Sequence, residues 1–340
     1  MATIHDLAKR LDVSVATVSR AINPDTRSKV SPDTLKKIDA LIKKTFYVPN
    51  FSAKNLRKTS FKSIGVLIPH LSGILFSDYC TKVLSGVADA LLDTGYTFKL
   101  LLVKPGEEKW ERYDFKHGEG VDGVVTTHWR VFFSDKSALE KIGVPCAVLN
   151  EPENGVSAYF FSNDNEQGGA LAAQFLHSKG HRDIAVMTGP QWSMDSRLRF
   201  RSFKEELKKH SLRLKEEWIL TGDYQKGTAK NLVTGLLSGK QRPSAIFCLN
   251  DSMALGVMEK LKEMKLSCPE DISVVGYDDE RVSGYSQPPL TTIRVPLYEL
   301  AREATKKLLD YLSHKGKKGV FEGKFLFPVT LVERDSVREL

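Results

Sequence analysis

From residue 64 onward, short apolar runs alternate with amphipathic helical stretches, and few folds accept that order. Residues 64–68, 98–103, 123–125, 145–149, 184–187, 245–249 and 272–275 read as buried strands. Residues 78–92, 167–178, 197–209, 252–263 and 297–312 read as helices between them. Strands joined through helices pair in parallel and are covered on both faces. About 270 residues exceed one such sheet and suit two, so the expected core is a pair of α/β lobes. Residues 104–120 fit least, being strongly polar with only Trp110, Tyr113 and Phe115 to bury.

Open parallel sheets bind ligands beyond the carboxyl ends of their strands. The residues following the strands are His70, Leu71 and Ser72; Thr127 and His128; Asn150; Thr188 and Gly189; Asn250 and Asp251; Asp278 and Asp279. Amides, hydroxyls and carboxylates predominate, the groups that hydrogen-bond a polyol, so a polar cleft between the lobes is expected. Any single member also has a structural reading, because turns after strands are polar.

Catalytic patterns are missing. There is no G-x-x-x-x-G-K loop, no G-x-S-x-G elbow and no H-E-x-x-H, and Gly118-Glu119-Gly120 lacks the spacing of a dinucleotide loop. His177 and His181 straddle a helix end at Gly180 and read as structural rather than metal ligands. The chain is expected not to be an enzyme and to need no cofactor or metal. Cys80, Cys146, Cys248 and Cys268 stand singly, as buried thiols of a reducing cytoplasm do. No apolar run approaches a membrane span and no signal-peptide core is present, so a cytoplasmic location away from membranes is expected.

The first sixty residues differ in kind. Residues 3–23, TIHDLAKRLDVSVATVSRAIN, give a helix capped by Thr3 with Ile4, Leu7, Ala8 and Leu11 on one face. A turn follows at Asp12-Val13, and Ser14 caps a second helix over 15–22. Val18, Ala21 and Ile22 turn back toward the first helix, while Val15, Ala16, Ser19, Arg20 and Asn23 share the opposite face. That face is slim and carries hydroxyls, an amide and one guanidinium, which suits entry into a major groove. A solvated helical hairpin would show the same periodicity, but charge favours DNA. Residues 1–62 hold 13 Lys or Arg against 5 Asp, and the remaining residues hold 37 of each sign, so the net +8 sits wholly in this head. Ser31-Pro32 opens a third helix, with Leu35, Ile38, Leu41 and Ile42 closing a small core. Residues 51–58, FSAKNLRK, are too short to hold a helix alone. They read equally as a basic linker or as a minor-groove wedge carrying Leu56.

The segments MATIHDLAKRLDVSVATVSRAIN, VSPDTLKKI and YVPN with SAKNL together resemble the DNA-binding head of the lactose-repressor (LacI/GalR) family. SIGVLIP, VDGVV, DNEQGG, GHRDIAVMTGP, RLRFRSF, FCLNDSMALG, DISVVGYDD and PPLTTIRVP resemble its effector-binding core in the family's order, so the likeness spans essentially the whole chain. It implies a helix-turn-helix DNA-binding domain at 1–49, a hinge helix at 50–61, and a core at 62–340 of two Rossmann-like lobes similar to periplasmic binding proteins. The N-lobe is expected at about 62–161 and 292–320, the C-lobe at about 162–291 and 321–340. The implied function is a sequence-specific transcriptional repressor of a pseudo-palindromic operator, controlled by a small ligand, a sugar or sugar derivative, between the lobes.

Carried over by position, Val15, Ala16 and Arg20 stand where the family reads bases, and Thr17, Ser19 and Asn23 fit phosphate contacts. Thr3 and Ser14 fall at the same surface, and Ala53, Asn55, Leu56 and Arg57 form the hinge, with Leu56 at the intercalating position. In the cleft, Asn150, Arg199, Asn250 and Asp278 match positions that hold sugar hydroxyls, Leu71 and Ser72 line the same cleft, and Phe76 offers a stacking wall. Loop 24–29 runs about two residues longer than in close relatives, Leu35 replaces a basic residue, and Asn150 stands where an acid is usual. No leucine heptad follows residues 332–334, so a homodimer is expected.

Overall fold

The computed structural model describes residues 3–22, 24–45, 60–69, 74–103, 115, 119–127, 143–149, 158–314 and 323–340, and the chain divides into two compact units between Phe61 and Lys62. In the head, α1 (Ile4–Leu11), α2 (Val15–Ile22) and α3 (Pro32–Thr45) pack together, with a 3₁₀ turn Pro24–Lys29 before α3. Thr3 caps α1 reciprocally. Its hydroxyl accepts from the Asp6 amide at 3.2 Å, and the Asp6 carboxylate accepts from the Thr3 amide at 2.8 Å. Asp12 turns the chain in the left-handed region (φ 52°), and Ser14 Oγ accepts from the Thr17 amide at 3.1 Å. Leu7, Val18, Ala21 and Ile38 are wholly buried between the helices. Leu35 packs against them half-buried, which explains an apolar residue there. The turn over 24–29 is pinned by Arg27, which donates to the Ala21 carbonyl at 2.7 Å and pairs with Asp39.

The second unit holds two six-stranded sheets. The first comprises β1 (Ser63–Pro69), β2 (Thr97–Val103), β3 (Gly123–Thr126), β4 (Cys146–Val148), β5 (Tyr159–Asn163) and β11 (Gly323–Phe327), in the order β11-β5-β4-β3-β1-β2. The second comprises β6 (Ile184–Thr188), β7 (Ile219–Thr221), β8 (Ala245–Cys248), β9 (Ser273–Asp278), β10 (Thr291–Arg294) and β12 (Thr330–Val332), in the order β12-β10-β9-β8-β6-β7. Every pairing is parallel except β10 with β12. Helix α4 (Asp78–Leu91) lies in the first lobe. The second lobe carries α5 (Asn165–Ser178), α6 (Met194–Lys209), α7 (Lys226–Leu237) and α8 (Asp251–Glu263), and α9 (Leu297–Ser313) returns to pack on α4. This is the expected fold class.

The division between lobes differs from expectation in its last third. Residues 323–327 belong to the first lobe, because they pair with β5 in register from Gly323 opposite Tyr159, and Phe325 stacks on Phe161 at 4.7 Å. Residues 291–294 belong to the second, paired with β9. The chain therefore crosses after β5, after β10 and between β11 and β12. Strands β5, β7, β10, β11 and β12 and helix α7 went unforeseen. Of residues 104–120, Phe115 is buried at 2% exposure among Leu101, Val121 and their neighbours, while Trp110 and Tyr113 lie outside the described residues. Among the described residues no helix is long and apolar enough to cross a membrane.

Close contact between α5 and β9 depends on a missing side chain. A Cβ on Gly168 would fall 2.1 Å from the Tyr277 hydroxyl oxygen, and Tyr277 is fully buried. Gly168→Ala is expected to destabilise the second lobe by about 2 kcal/mol through overpacking. Urea unfolding measures this, and a loss under about 0.5 kcal/mol would mean that Tyr277 swings aside freely.

Candidate effector site and DNA-reading face

In the head, Ala16, Ser19 and Arg20 are exposed on α2, and Ser14 is exposed just before it. Val15 and Thr17 are half-buried: Val15 packs on the head core, and Thr17 bonds Ser14 at 2.9 Å through its hydroxyl. The outward face therefore narrows to Ala16, Ser19 and Arg20, with Arg20 in the last turn. Thr26 donates to the Arg20 carbonyl at 3.2 Å, tying the following turn to that end of the helix. The Thr3 hydroxyl is bonded to Asp6. Asn23, Ala53, Asn55, Leu56 and Arg57 lie outside the described residues.

In the core, polar chemistry gathers around Arg199 on α6, which is 7% exposed. Its Nε donates to Asn165 Oδ1 at 2.7 Å, and its Nη1 donates to the Leu249 carbonyl at 2.7 Å and lies 3.7 Å from Asp278 Oδ1. The guanidinium plane sits 3.7 Å from the centre of the Tyr277 ring. Asn165 is held in turn by Asn163, which donates to it at 2.7 Å, and it donates to Asp195 Oδ1 at 2.8 Å. Burial pushes the Asp278 carboxyl well above the usual carboxylate range, against the pull of Arg199. Asp278 also has φ 112°, a region costly for a residue with a Cβ.

Two phenols face this cluster. Tyr224, whose ring lies where a Gly189 Cβ would sit, bonds Ser193 at 2.9 Å. Burial, opposed by Arg199 and reinforced by Asp195, pushes its hydroxyl up to about 12. Tyr79, in the first turn of α4, feels burial first and then Asp195 and Asp278, so its hydroxyl is held protonated far above the ordinary value. At the end of β3 the Thr127 hydroxyl is buried without a hydrogen-bond partner among the described residues.

The expected residues are thus brought together only in part. Arg199 and Asp278 are adjacent. Asn250 is mainly a helix cap: it accepts from the Met253 amide at 2.9 Å and donates to the Tyr224 carbonyl at 3.2 Å, which leaves one lone pair and one hydrogen for a ligand. Phe76 is 93% exposed on the turn Ile74–Phe76; the first-lobe aromatic close enough to feel the charges of Asp195, Asp278 and Arg199 is Tyr79. Leu71, Ser72 and Asn150 lie outside the described residues. Asn163, Asn165, Ser193, Asp195, Tyr224 and Tyr277 were missed. Asn163, Asn165 and Tyr224 follow or end β5 and β7, and the strand-end rule finds them only once those strands are recognised. Chemically, a fixed guanidinium beside one carboxyl, with a second linked to it through Asn165 and with phenols around it, can hold a small ligand rich in hydroxyls or other paired donors and acceptors. Among the described residues no group of His, Cys, Asp and Glu is arranged to hold a metal.

Asp251, the first residue of α8, is wholly buried and has no cation. It accepts from Thr292 Oγ1 at 2.6 Å, Ser283 Oγ at 2.7 Å and the Glu280 amide at 2.8 Å. Burial outweighs these donors and lifts its carboxyl to about 7. Between the ordinary carboxylate range and pH 7 the folded chain then binds more protons than the unfolded chain, so this group's contribution to stability falls as pH rises through that window. Asp251→Asn is expected to flatten the decline from pH 5 to 7.5 by on the order of 2 kcal/mol. Parallel denaturant titrations of the two proteins check it, and identical slopes would refute it.

Comparison with known proteins agrees with this arrangement. Residues 3–50 match the family described as bacterial regulatory proteins, lacI family, and residues 173–337 match a periplasmic binding protein-like domain. The chain is 33% identical to the HTH-type transcriptional repressor PurR of Vibrio vulnificus and 32% to that of Vibrio cholerae, over 100% of this chain and 99–100% of each relative. Among solved structures it is similar to the lac repressor dimer bound to operator and the anti-inducer ONPF (26% identity, TM-score 0.81, 99% of both chains). It is also similar to the transcriptional regulator CelR in complex with cellobiose (28% identity, TM-score 0.73, 99% of this chain and 100% of that one). A helix-turn-helix head followed by two parallel-sheet lobes, matched end to end by such repressors, places the chain in the LacI family of bacterial regulatory proteins, DNA-binding transcriptional repressors.

Proposed function

We propose that this repressor acts as a homodimer whose two heads read a pseudo-palindromic operator, each presenting Ala16, Ser19 and Arg20 to the major groove. Arg20 suits a guanine edge and Ala16 a thymine methyl. Thr17 and Asn23 contact phosphates, and Val15, Ser14 and Thr3 border the same surface. The hinge over 50–61 folds on the duplex, and Leu56, flanked by Ala53, Asn55 and Arg57, wedges into the minor groove.

The effector is a polyhydroxylated molecule, a sugar or sugar derivative, bound between the lobes at 62–340. The observation that carries this reading is the buried Arg199 beside Asp278, with Asp195 linked to it through Asn165, since carboxyl oxygens accept from neighbouring hydroxyls while the guanidinium donates. The Thr127 hydroxyl adds an unanswered polar group on the first lobe. The similar regulator CelR is found in complex with cellobiose, and a similar LacI family regulator from Enterococcus faecium with bound ribose. Ligand and operator bind through one conformational equilibrium, so each alters the other's affinity by the same factor.

Selection of bound sites from a random duplex library should enrich a palindrome with wild type. Arg20→Ala should relax specificity at one symmetric base position and cost about 1–3 kcal/mol, while Leu56→Ala should weaken binding through the central step. Failure of wild type to enrich any sequence would remove the operator reading. Thermal shift against a panel of mono- and disaccharides and nitrogen heterocycles should give a sugar hit abolished by Asp278→Asn. A hit among heterocycles alone would overturn the sugar assignment and leave the regulator reading standing.

A further inference from the structure

The second lobe meets the first at the residues directly after Asp278. Asp278 and Asp279 are two successive non-glycine residues with positive φ, 112° and 51°. Such a turn persists only where its surroundings over-determine it. Within the second lobe, Asp279 Oδ1 accepts from Arg334 Nη2 at 2.7 Å and Oδ2 accepts from Arg294 Nε at 2.7 Å. The Glu280 amide is held by Asp251 at 2.8 Å. The remaining contacts come from the other lobe. Lys82 on α4 donates to the Asp279 carbonyl at 2.8 Å. Asp78, at the start of α4, accepts from the Arg281 amide at 3.1 Å and from Arg281 Nε at 2.8 Å. Asp78 and Lys82 pair with each other at 3.0 Å, one helical turn apart.

We propose that Asp78 and Lys82 are positioning residues of the effector site. From the first lobe they hold the backbone of residues 279–281, and through it they aim the Asp278 carboxylate at the ligand. The proposal rests on Asp278 belonging to the effector site. It follows that the lobe arrangement and the orientation of Asp278 are one mechanical variable: a shift of α4 relative to the second lobe pulls on a carbonyl and an amide within three residues of that carboxylate. The contacts are placed to open and close. Lys82, Asp279, Glu280, Arg281 and Arg294 line a cavity of about 380 Å³ where the lobes meet, so water reaches the ion pairs. The Arg281 side chain is 73% exposed while its partner Asp78 is only 10% exposed. Loss of the pair frees a solvated arginine and disturbs neither sheet.

Asp78→Asn, Lys82→Met and Lys82→Arg separate positioning from mere support. In the free full-length protein, hydrogen exchange of the peptide spanning 278–284 should quicken at least about fivefold in Asp78→Asn and Lys82→Met, while β6 stays protected. Lys82→Arg, which keeps a cationic donor, should restore protection. Affinity for the duplex that wild type selects, measured without effector, should move about five- to tenfold in the first two variants, the lower range of ordinary coupling factors, and return with Lys82→Arg. Unchanged exchange over 278–284 overturns the clamp, and faster exchange with operator affinity constant within twofold overturns its coupling. If instead no sugar responds to Asp278, the effector reading fails while these two readouts keep their values, so the failures are told apart.

Discussion

A guanidinium taken out of water must be neutralised and hydrogen-bonded, and the second lobe is organised around doing this for Arg199. Desolvating such an ion costs several kcal/mol or more even after relaxation. The cost is met from four directions: the Leu249 carbonyl at the end of β8, Asn165 at the start of α5, the Tyr277 ring beneath and Asp278 beyond. The partners come from three elements besides α6, with Tyr277 and Asp278 both on β9, so the charge can be buried only when β8, β9, α5 and α6 are all in place. The tight approaches follow from the same need. A Cβ at Gly169 would lie 2.2 Å from the Arg199 carbonyl, and one at Gly168 would strike the Tyr277 hydroxyl, so α5 carries two glycines where it meets this cluster.

The same lobe keeps carboxylates in poor solvation, with different compensation for each. Asp279 is gripped by two arginines and sits below the usual carboxylate range, since Arg334 and Arg294 outweigh its burial. Asp251 has three neutral donors and no cation, so it holds its proton far more tightly. Asp278 has one arginine at 3.7 Å and part of its surface open, and burial pushes its carboxyl well above the usual carboxylate range against the pull of that arginine. Of the three it is the one with unmet hydrogen-bonding capacity facing the site, which is the property a ligand contact requires.

Legibility in the sequence tracked how far each signal acts along the chain. The head was readable almost residue by residue, because caps at Thr3 and Ser14 and stripes such as Leu7, Val18 and Ile38 act within one or two turns. The seven expected strands were apolar runs, most of them buried on both faces, with β2 the exception because Phe98 and Leu102 are exposed. Those that escaped were β11, with Lys324 and Leu326 alternating outward, the three-residue β7 and β12, and the buried β5 and β10, whose runs are broken by Ser, Asn and Thr. Missing β5 and β7 hid Asn163, Asn165 and Tyr224 from a rule that works by finding strand ends.

By itself the sequence determined the class of fold, the basic head on a charge-balanced body, and membership of a regulator family, because periodicity, capping and motif order are local properties of the chain. Which lobe owns residues 323–327 was decided by strand pairing across more than 150 residues, as between Gly323 and Tyr159, and residues 291–294 went to the second lobe by pairing with β9. That Asn250 serves chiefly as a cap, that Tyr79 rather than Phe76 feels the charged cluster, and that Asp78 reaches Arg281 across 203 positions were likewise tertiary outcomes. Hydrogen bonds and burial depend on what arrives from elsewhere in the chain, and residue type and spacing carry no record of that.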